Sequence, residues 1–183
     1  MNLLTAALLL LAAGLFQGCD PSWELQSPKS TPTTVAASGV EVRTQVNGLG
    51  VHGYNYTDTA IYYFSVGVSG GMNLEVSEQG DSGSGTVCCA SVSPILIPYK
   101  MTVQWTRDGE KWCELEATLT GPIPAKPEYL NVHFYQDGHI ELSVSEGSEN
   151  RFPRLERFTY ARRYKDGNVV NDEKFARCQI GRP

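Results

Sequence analysis

Two Asp-Gly pairs, each flanked by residues that alternate between apolar and polar, constrain this chain more than any other feature. Met101, Val103 and Trp105 alternate with Thr102, Gln104 and Thr106 ahead of Asp108-Gly109. Behind it, Cys113, Leu115, Ala117 and Leu119 alternate with Glu114, Glu116 and Thr118. Leu130, Val132 and Phe134 precede Asp137-Gly138, and Ile140, Leu142 and Val144 follow it. A period of two sends one set of side chains to a buried face, and Asp-Gly accepts the positive φ angles of a tight reversal. Both segments therefore predict antiparallel hairpins. Val40, Val42, Thr44 and Val46 alternate in the same way with Glu41, Arg43 and Gln45. The β-branched and aromatic run Ile61–Val68 stops at a turn signal, Ser69-Gly70-Gly71. Up to residue 150 the folded region carries no helix-length pattern and no repeat of fixed period. The expectation is an all-β domain over residues 40–183, an antiparallel sandwich or barrel of six to eight strands. A short C-terminal helix is expected around Phe152, Leu155 and Phe158.

The first residues have another character. Leu3 to Phe16 is an uncharged apolar run of 14 residues. A membrane-spanning helix needs about 20, whereas the core of a signal peptide needs roughly 7–15. The run leads into Gln17-Gly18-Cys19, which resembles the bacterial lipobox, where cleavage falls before the cysteine and the new N-terminus is acylated. This predicts a signal peptide over 1–18, with Cys19 carrying fatty acid such as palmitate; a secretory signal cleaved elsewhere is the alternative. Residues 20–39 hold three prolines and are dominated by Ser, Thr and Ala. Such a stretch buries too little apolar surface to offset its ordering entropy, so 19–39 reads as a lipidated tether. The expected location is the cell envelope, lipid-anchored and facing the periplasm.

Net charge argues against nucleic acid as a partner: the chain carries −5 at neutral pH. The charge is segregated. Residues 1–150 hold 6 basic and 16 acidic side chains, whereas 151–183 hold 9 basic and 4 acidic. The plainest expectation is a basic segment docked on an acidic sheet face; a basic surface for a partner is the rival.

With Cys19 acylated, Cys88, Cys89, Cys113 and Cys178 remain. An even number in an exported domain points to disulfides. Neighbours on a strand face opposite sides, so Cys88 and Cys89 are expected to take separate partners, one of them Cys113. A vicinal Cys88–Cys89 bridge is the competing arrangement. No C-x-x-C spacing suggests zinc, and no cofactor site is expected.

Motifs for catalysis are lacking: there is no G-x-S-x-G elbow, no P-loop and no H-E-x-x-H. His133 sits between Val132 and Phe134 on a strand and is expected to be solvent-facing or hydrogen-bonded rather than a base. Glu114 and Glu116 share one face but read as a solvated pair. Asn55-Tyr56-Thr57 fits a glycosylation sequon by chance. The tyrosines at 54, 56, 62 and 63 suit a binding surface, because Tyr brings large contact area at low entropic cost.

Several segments carry a resemblance. Gly53-Tyr54-Asn55-Tyr56-Thr57-Asp58, the Cys88-Cys89 doublet followed by Pro94, and Val103-Gln104-Trp105 occur in that order, with Tyr129 and Val132-His133-Phe134 after them. Over roughly residues 40–146 the chain resembles a family of bacterial lipoproteins catalogued only as a domain of unknown function. Members are often encoded beside type VI secretion phospholipase effectors. The resemblance implies a non-enzymatic immunity lipoprotein that binds such an effector, and it supplies no catalytic residues. A structural or accessory envelope lipoprotein without a toxin partner is the alternative.

Overall fold

The computed structural model of the chain describes residues 33–35, 41–78, 83, 86–147, 157–159, 161, 163 and 170–183. The chain divides into compact units at 1–30 and 31–183. The first, with the predicted signal peptide and Cys19, lies outside the described residues. Among the described residues no helix is long and apolar enough to cross a membrane.

The second unit is mostly strand, as the alternation predicts. Strand β1 (Thr33–Val35) pairs antiparallel with β2 (Glu41–Arg43). The main sheet contains β3 (Val46–Asn55), β4 (Ile61–Val66), β5 (Ser69–Leu74), β6 (Val87–Val92), β7 (Tyr99–Thr106), β8 (Lys111–Leu119), β9 (Tyr129–Phe134) and β10 (Ile140–Ser145). In the order β5-β4-β7-β8-β10-β9-β3-β6 these eight form a nearly closed barrel, and β11 (Arg177–Ile180) adds outside this path, on β8.

Both Asp-Gly hairpins form where the sequence puts them. Thr106 opposes Trp112 across the first turn, and Phe134 opposes Ile140 across the second. At the second, Gly138 has φ 85° and lies so close to the Asn171 carbonyl that any side chain would collide with it. Most ladders are antiparallel, but β3–β9 and β8–β10 are parallel. The β9–β10 hairpin is inserted between β3 and β8, and its direction there sets the two parallel contacts.

Two boundaries differ from the sequence expectation. The alternating run from Val40 to Val46 is broken at Thr44–Gln45, so it supplies β2 and the start of β3. The reversal after β4 falls at Gly67-Val68, not at Ser69-Gly70-Gly71, which begins β5. Gly67 takes φ 57° and tightens the turn, while Gly70 lets β5 approach Ser65 more closely than a side chain permits.

The inward residues make one apolar core: Leu49 and Val51 from β3, Phe64 and Val66 from β4, Val103 and Trp105 from β7, Leu130, Val132 and Phe134 from β9. Phe134 meets Phe64 and Trp105 edge-on, with ring centroids 5.6 and 5.7 Å apart, a favoured aromatic geometry.

The disulfide pairing corrects the expectation. Cys178 on β11 lies directly opposite Cys113 on β8, and these two are bonded; Cys88 and Cys89 are bonded to each other. The barrel explains why Cys113 cannot serve the doublet. Strand β6, which carries Cys88 and Cys89, is separated from β8 by three strands in either direction around the wall.

Candidate functional site

The four tyrosines divide. Tyr54 and Tyr56 are buried, on the outer face of β3 and its extension, beneath the C-terminal segment. With Tyr135 and Phe158 they form a second apolar cluster. The ring of Tyr54 stacks on His133, 4.8 Å between centroids, and Tyr56 stacks on Phe158 at 4.5 Å. The Tyr56 hydroxyl is 2.9 Å from His133 Nδ1, and Ser143 Oγ is 3.3 Å from Nε2. Tyr54 and Tyr56 are therefore packing residues rather than surface anchors, because Phe158 packs against this face. His133 is hydrogen-bonded, one of the two forms expected of it.

The charge segregation has the same cause. Arg163, itself buried, donates to the carbonyls of Ser77 and Thr57 at 2.6 and 3.2 Å. Its backbone N–H donates to the Thr159 carbonyl at 3.0 Å. Of the predicted helix, Phe152 and Leu155 lie outside the described residues. Arg157 pairs with Asp137 at 2.9 Å and Glu141 at 3.2 Å. Arg157 of the basic segment thus docks on acidic residues of the β9–β10 hairpin. Partial burial pushes the Asp137 carboxyl upward, but the His139 backbone N–H, the His139 ring and Arg157 outweigh it and hold it below the ordinary carboxylate range. A depressed native value means stability present above the unfolded pKa and lost as pH falls through the native one. Asp137→Asn is therefore expected to shrink the loss of stability below about pH 4, read from urea midpoints at stepped pH.

Tyr62 and Tyr63 face outward. A register shift between Ile61 and Phe64 lets both of those enter the core and leaves the intervening pair outside. Tyr62 is 67% exposed. Tyr63 packs against Trp112 at 5.5 Å, and the Arg182 guanidinium covers both rings, 5.1 Å from Tyr63 and 5.0 Å from Trp112. Beyond them, Arg177 pairs with Glu114 at 3.0 Å, and Glu114 also accepts from Gln104 Nε2 at 2.8 Å. Glu116 pairs instead with Lys100. The two glutamates thus serve cross-strand partners and do not act as a carboxylate pair.

Beside this aromatic patch, the β7–β8 turn borders a cavity of about 550 Å³ lined by Trp105, Arg107, Lys111, Asn171, Asp172 and others. Its arginine and acidic side chains are engaged. Arg107 makes a two-pronged pair with Asp172, 2.7 and 3.0 Å, and donates to Thr57 Oγ1 and the Thr59 carbonyl. Lys111 pairs with Glu173. Below the turn, the Lys111 and Glu110 backbone N–H groups hold the Asp108 carboxyl below its usual range. Because both Arg107 and Asp172 are largely shielded from water, Arg107→Ala is expected to cost about 3 kcal/mol by stranding the carboxylate, measurable by urea unfolding.

Asn55 is fully buried: its amide donates to the Thr59 carbonyl and its Oδ1 accepts from Thr57, so the sequon serves a turn. Among the described residues no group of three or more His, Cys, Asp or Glu could hold a metal ion. Trp112 was readable from the sequence, since an inward Cys113 requires an outward neighbour. Arg182, 119 residues from Tyr63, left no local signal.

No curated protein and no solved structure matches the chain. A family model described as protein of unknown function (DUF3304) matches residues 54–142, a span that includes β4 to β9, Tyr62, Tyr63 and Trp112, and leaves out β11 with Arg182. Residues 54–142 of this chain therefore carry a DUF3304 domain, a type whose function is unknown.

Proposed function

We propose that this protein is a lipid-anchored, periplasm-facing immunity protein that neutralises a type VI secretion phospholipase effector by binding it. The observation that carries the reading is an outward-facing aromatic–arginine patch in which exposed Tyr62 and Arg182 flank half-buried Tyr63 and buried Trp112. Tyr, Trp and Arg dominate binding hot spots, because rigid rings and a planar cation give large contact area at low entropic cost. The Arg177–Glu114 pair beside it supplies a charged rim of the kind that steers association. Two disulfides suit an oxidising compartment outside the cytoplasm. The protein acts by occupancy, covering the enzyme's active-site mouth or its approach to lipid, and performs no chemistry.

Co-expression with the phospholipase encoded beside it, both exported to the periplasm, tests the reading. Wild type rescues growth and co-purifies with the enzyme. Tyr62→Ala combined with Arg182→Ala is expected to weaken the complex at least 30-fold, corresponding to about 2 kcal/mol, without changing the unfolding midpoint by more than a small amount. Continued killing despite confirmed export, with no complex, favours an accessory envelope lipoprotein. The anchor has its own test: fatty acid fed to cells should label wild type and not Cys19→Ser, and an unlabelled wild type removes the lipid from the proposal.

A further inference from the structure

The end of the barrel opposite the Asp-Gly turns is built differently. Strand β6 lies against β5 across the nearly closed seam, where Ser69 Oγ donates to the Cys89 carbonyl at 2.6 Å. Strand β7 lies on the other side of the β4–β5 hairpin. The connection from β6 to β7 therefore has to cross the tip of that hairpin, Gly67-Val68. This connection is Ser93–Pro98, with a 3-10 turn at Pro94–Leu96. Three large apolar side chains meet solvent here: Val68 is fully exposed, Ile95 57% and Leu96 56%.

The charge pattern fits an apolar environment, and so does part of the backbone. Residues 61–74 and 87–99 contain no charged side chain. Entry into hydrocarbon is costly for a loop whose backbone N–H groups lack acceptors. Here the prolines at 94 and 98 have no N–H to lose. The Leu96 and Ile97 amides donate to the Ser93 and Pro94 carbonyls at 3.1 and 3.4 Å, and the Gly67 amide donates to Thr102 at 2.8 Å. The chain arriving from the N-terminal side also enters at this end: Ser93 Oγ donates to the Thr44 carbonyl at 2.9 Å, two residues before β3. An anchor at Cys19 would hold this end near a bilayer.

We infer that Val68, Ile95 and Leu96 form a membrane-docking tip that inserts among lipid acyl chains, so that the barrel stands on the bilayer with the Tyr62–Arg182 patch directed away from it. The inference rests on the lipid-anchored reading for its orientation, but not for the tip's own affinity. Residues 67–68 and 93–98 hold no cation, and Lys100 just beyond them is paired with Glu116, so insertion depends on apolar contact and not on anionic headgroups.

The test uses the full-length protein purified from membranes and reconstituted into phosphatidylcholine vesicles, with Ile95→Trp as reporter. Vesicles whose acyl chains are brominated should lower the emission of the added indole at least twofold relative to plain vesicles, after subtraction of wild type. The quenching should persist at high salt, and adding Val68→Asp and Leu96→Asp should abolish it. Wild type, with no substitution, should be labelled at 67–68 and 95–96 by a phospholipid bearing a photoactivatable acyl chain. Equal emission from brominated and plain vesicles, together with photolabel confined to the N-terminal segment, overturns the inference. Protection of these residues only when the phospholipase is added also overturns it and gives the tip to a protein partner. Fatty-acid labelling at Cys19 is scored separately. Labelled protein without quenching sinks the tip and spares the anchor; quenching of unlabelled protein sinks the anchor and spares the tip.

Discussion

Cys178→Ser is expected to lower the unfolding free energy by about 4 kcal/mol, among the largest effects available from a single substitution in this protein. The bridge it removes joins positions 65 residues apart. In the chain-entropy description, a loop of that length removes about 4 kcal/mol of freedom from the unfolded state. Strand β11 has little else to hold it. It is four residues long, pairs with β8 alone, and its side chains are mostly exposed. Urea unfolding without reductant should show the drop in midpoint, and the same treatment with reductant should bring wild type down to the variant. Cys88→Ser with Cys89→Ser should behave differently, because a bridge between adjacent residues closes no loop of consequence. If the doublet variant loses as much stability as Cys178→Ser, the loop-closure account fails. Loss of β11 also withdraws Arg182 from Tyr63 and Trp112. The proposed docking patch is therefore expected to weaken along with stability.

Trp105→Ala should cost about 3–5 kcal/mol, the range for truncating a buried large aromatic. Trp105 is 1% exposed, meets Phe134 edge-on and forms part of the cavity wall. Its indole N–H has no hydrogen-bond partner among the described residues. Trp105→Phe keeps most of the apolar volume and removes that unsatisfied donor, so it should cost far less than the alanine variant. Comparing the two urea curves separates packing from hydrogen bonding. Equal losses for Phe and Ala would mean that the indole nitrogen is satisfied in solution.

The strands were legible because a sheet with one buried face imposes a period of two on the residues that form it. Met101 to Leu119 and Leu130 to Val144 display that period on both sides of an Asp-Gly turn, and both hairpins form at those turns. Strand position left His133 either solvent-facing or hydrogen-bonded, and the structure selects the second; charge made the pairing of Arg157 with acidic hairpin residues foreseeable. What lay beyond reach was which strand stands beside which. Strand order is fixed by closure of the sheet and by packing of the core, and neither leaves a local mark. The parallel contacts of β3 with β9 and of β8 with β10 were hidden for that reason, as was the placement of β6 across the barrel from β8.

The cysteines and tyrosines make the same division. Alternation correctly gives Cys113 an inward side chain, yet only the arrival of β11 from 65 residues away gives it Cys178. Tyr54 and Tyr56 sit on an outward face that alternation cannot distinguish from a solvated one; Phe158 and Arg163, folding back from the C-terminal segment, bury it. Tyr62 and Tyr63 stay outside because a register shift places Ile61 and Phe64 together in the core. The sequence determined the fold class, both Asp-Gly turns and the inward sets of the hairpin strands, because these depend on neighbours a few positions apart. Tertiary structure decided the disulfide partners, the covered face and the exposed patch, because each depends on surfaces brought together by residues distant along the chain.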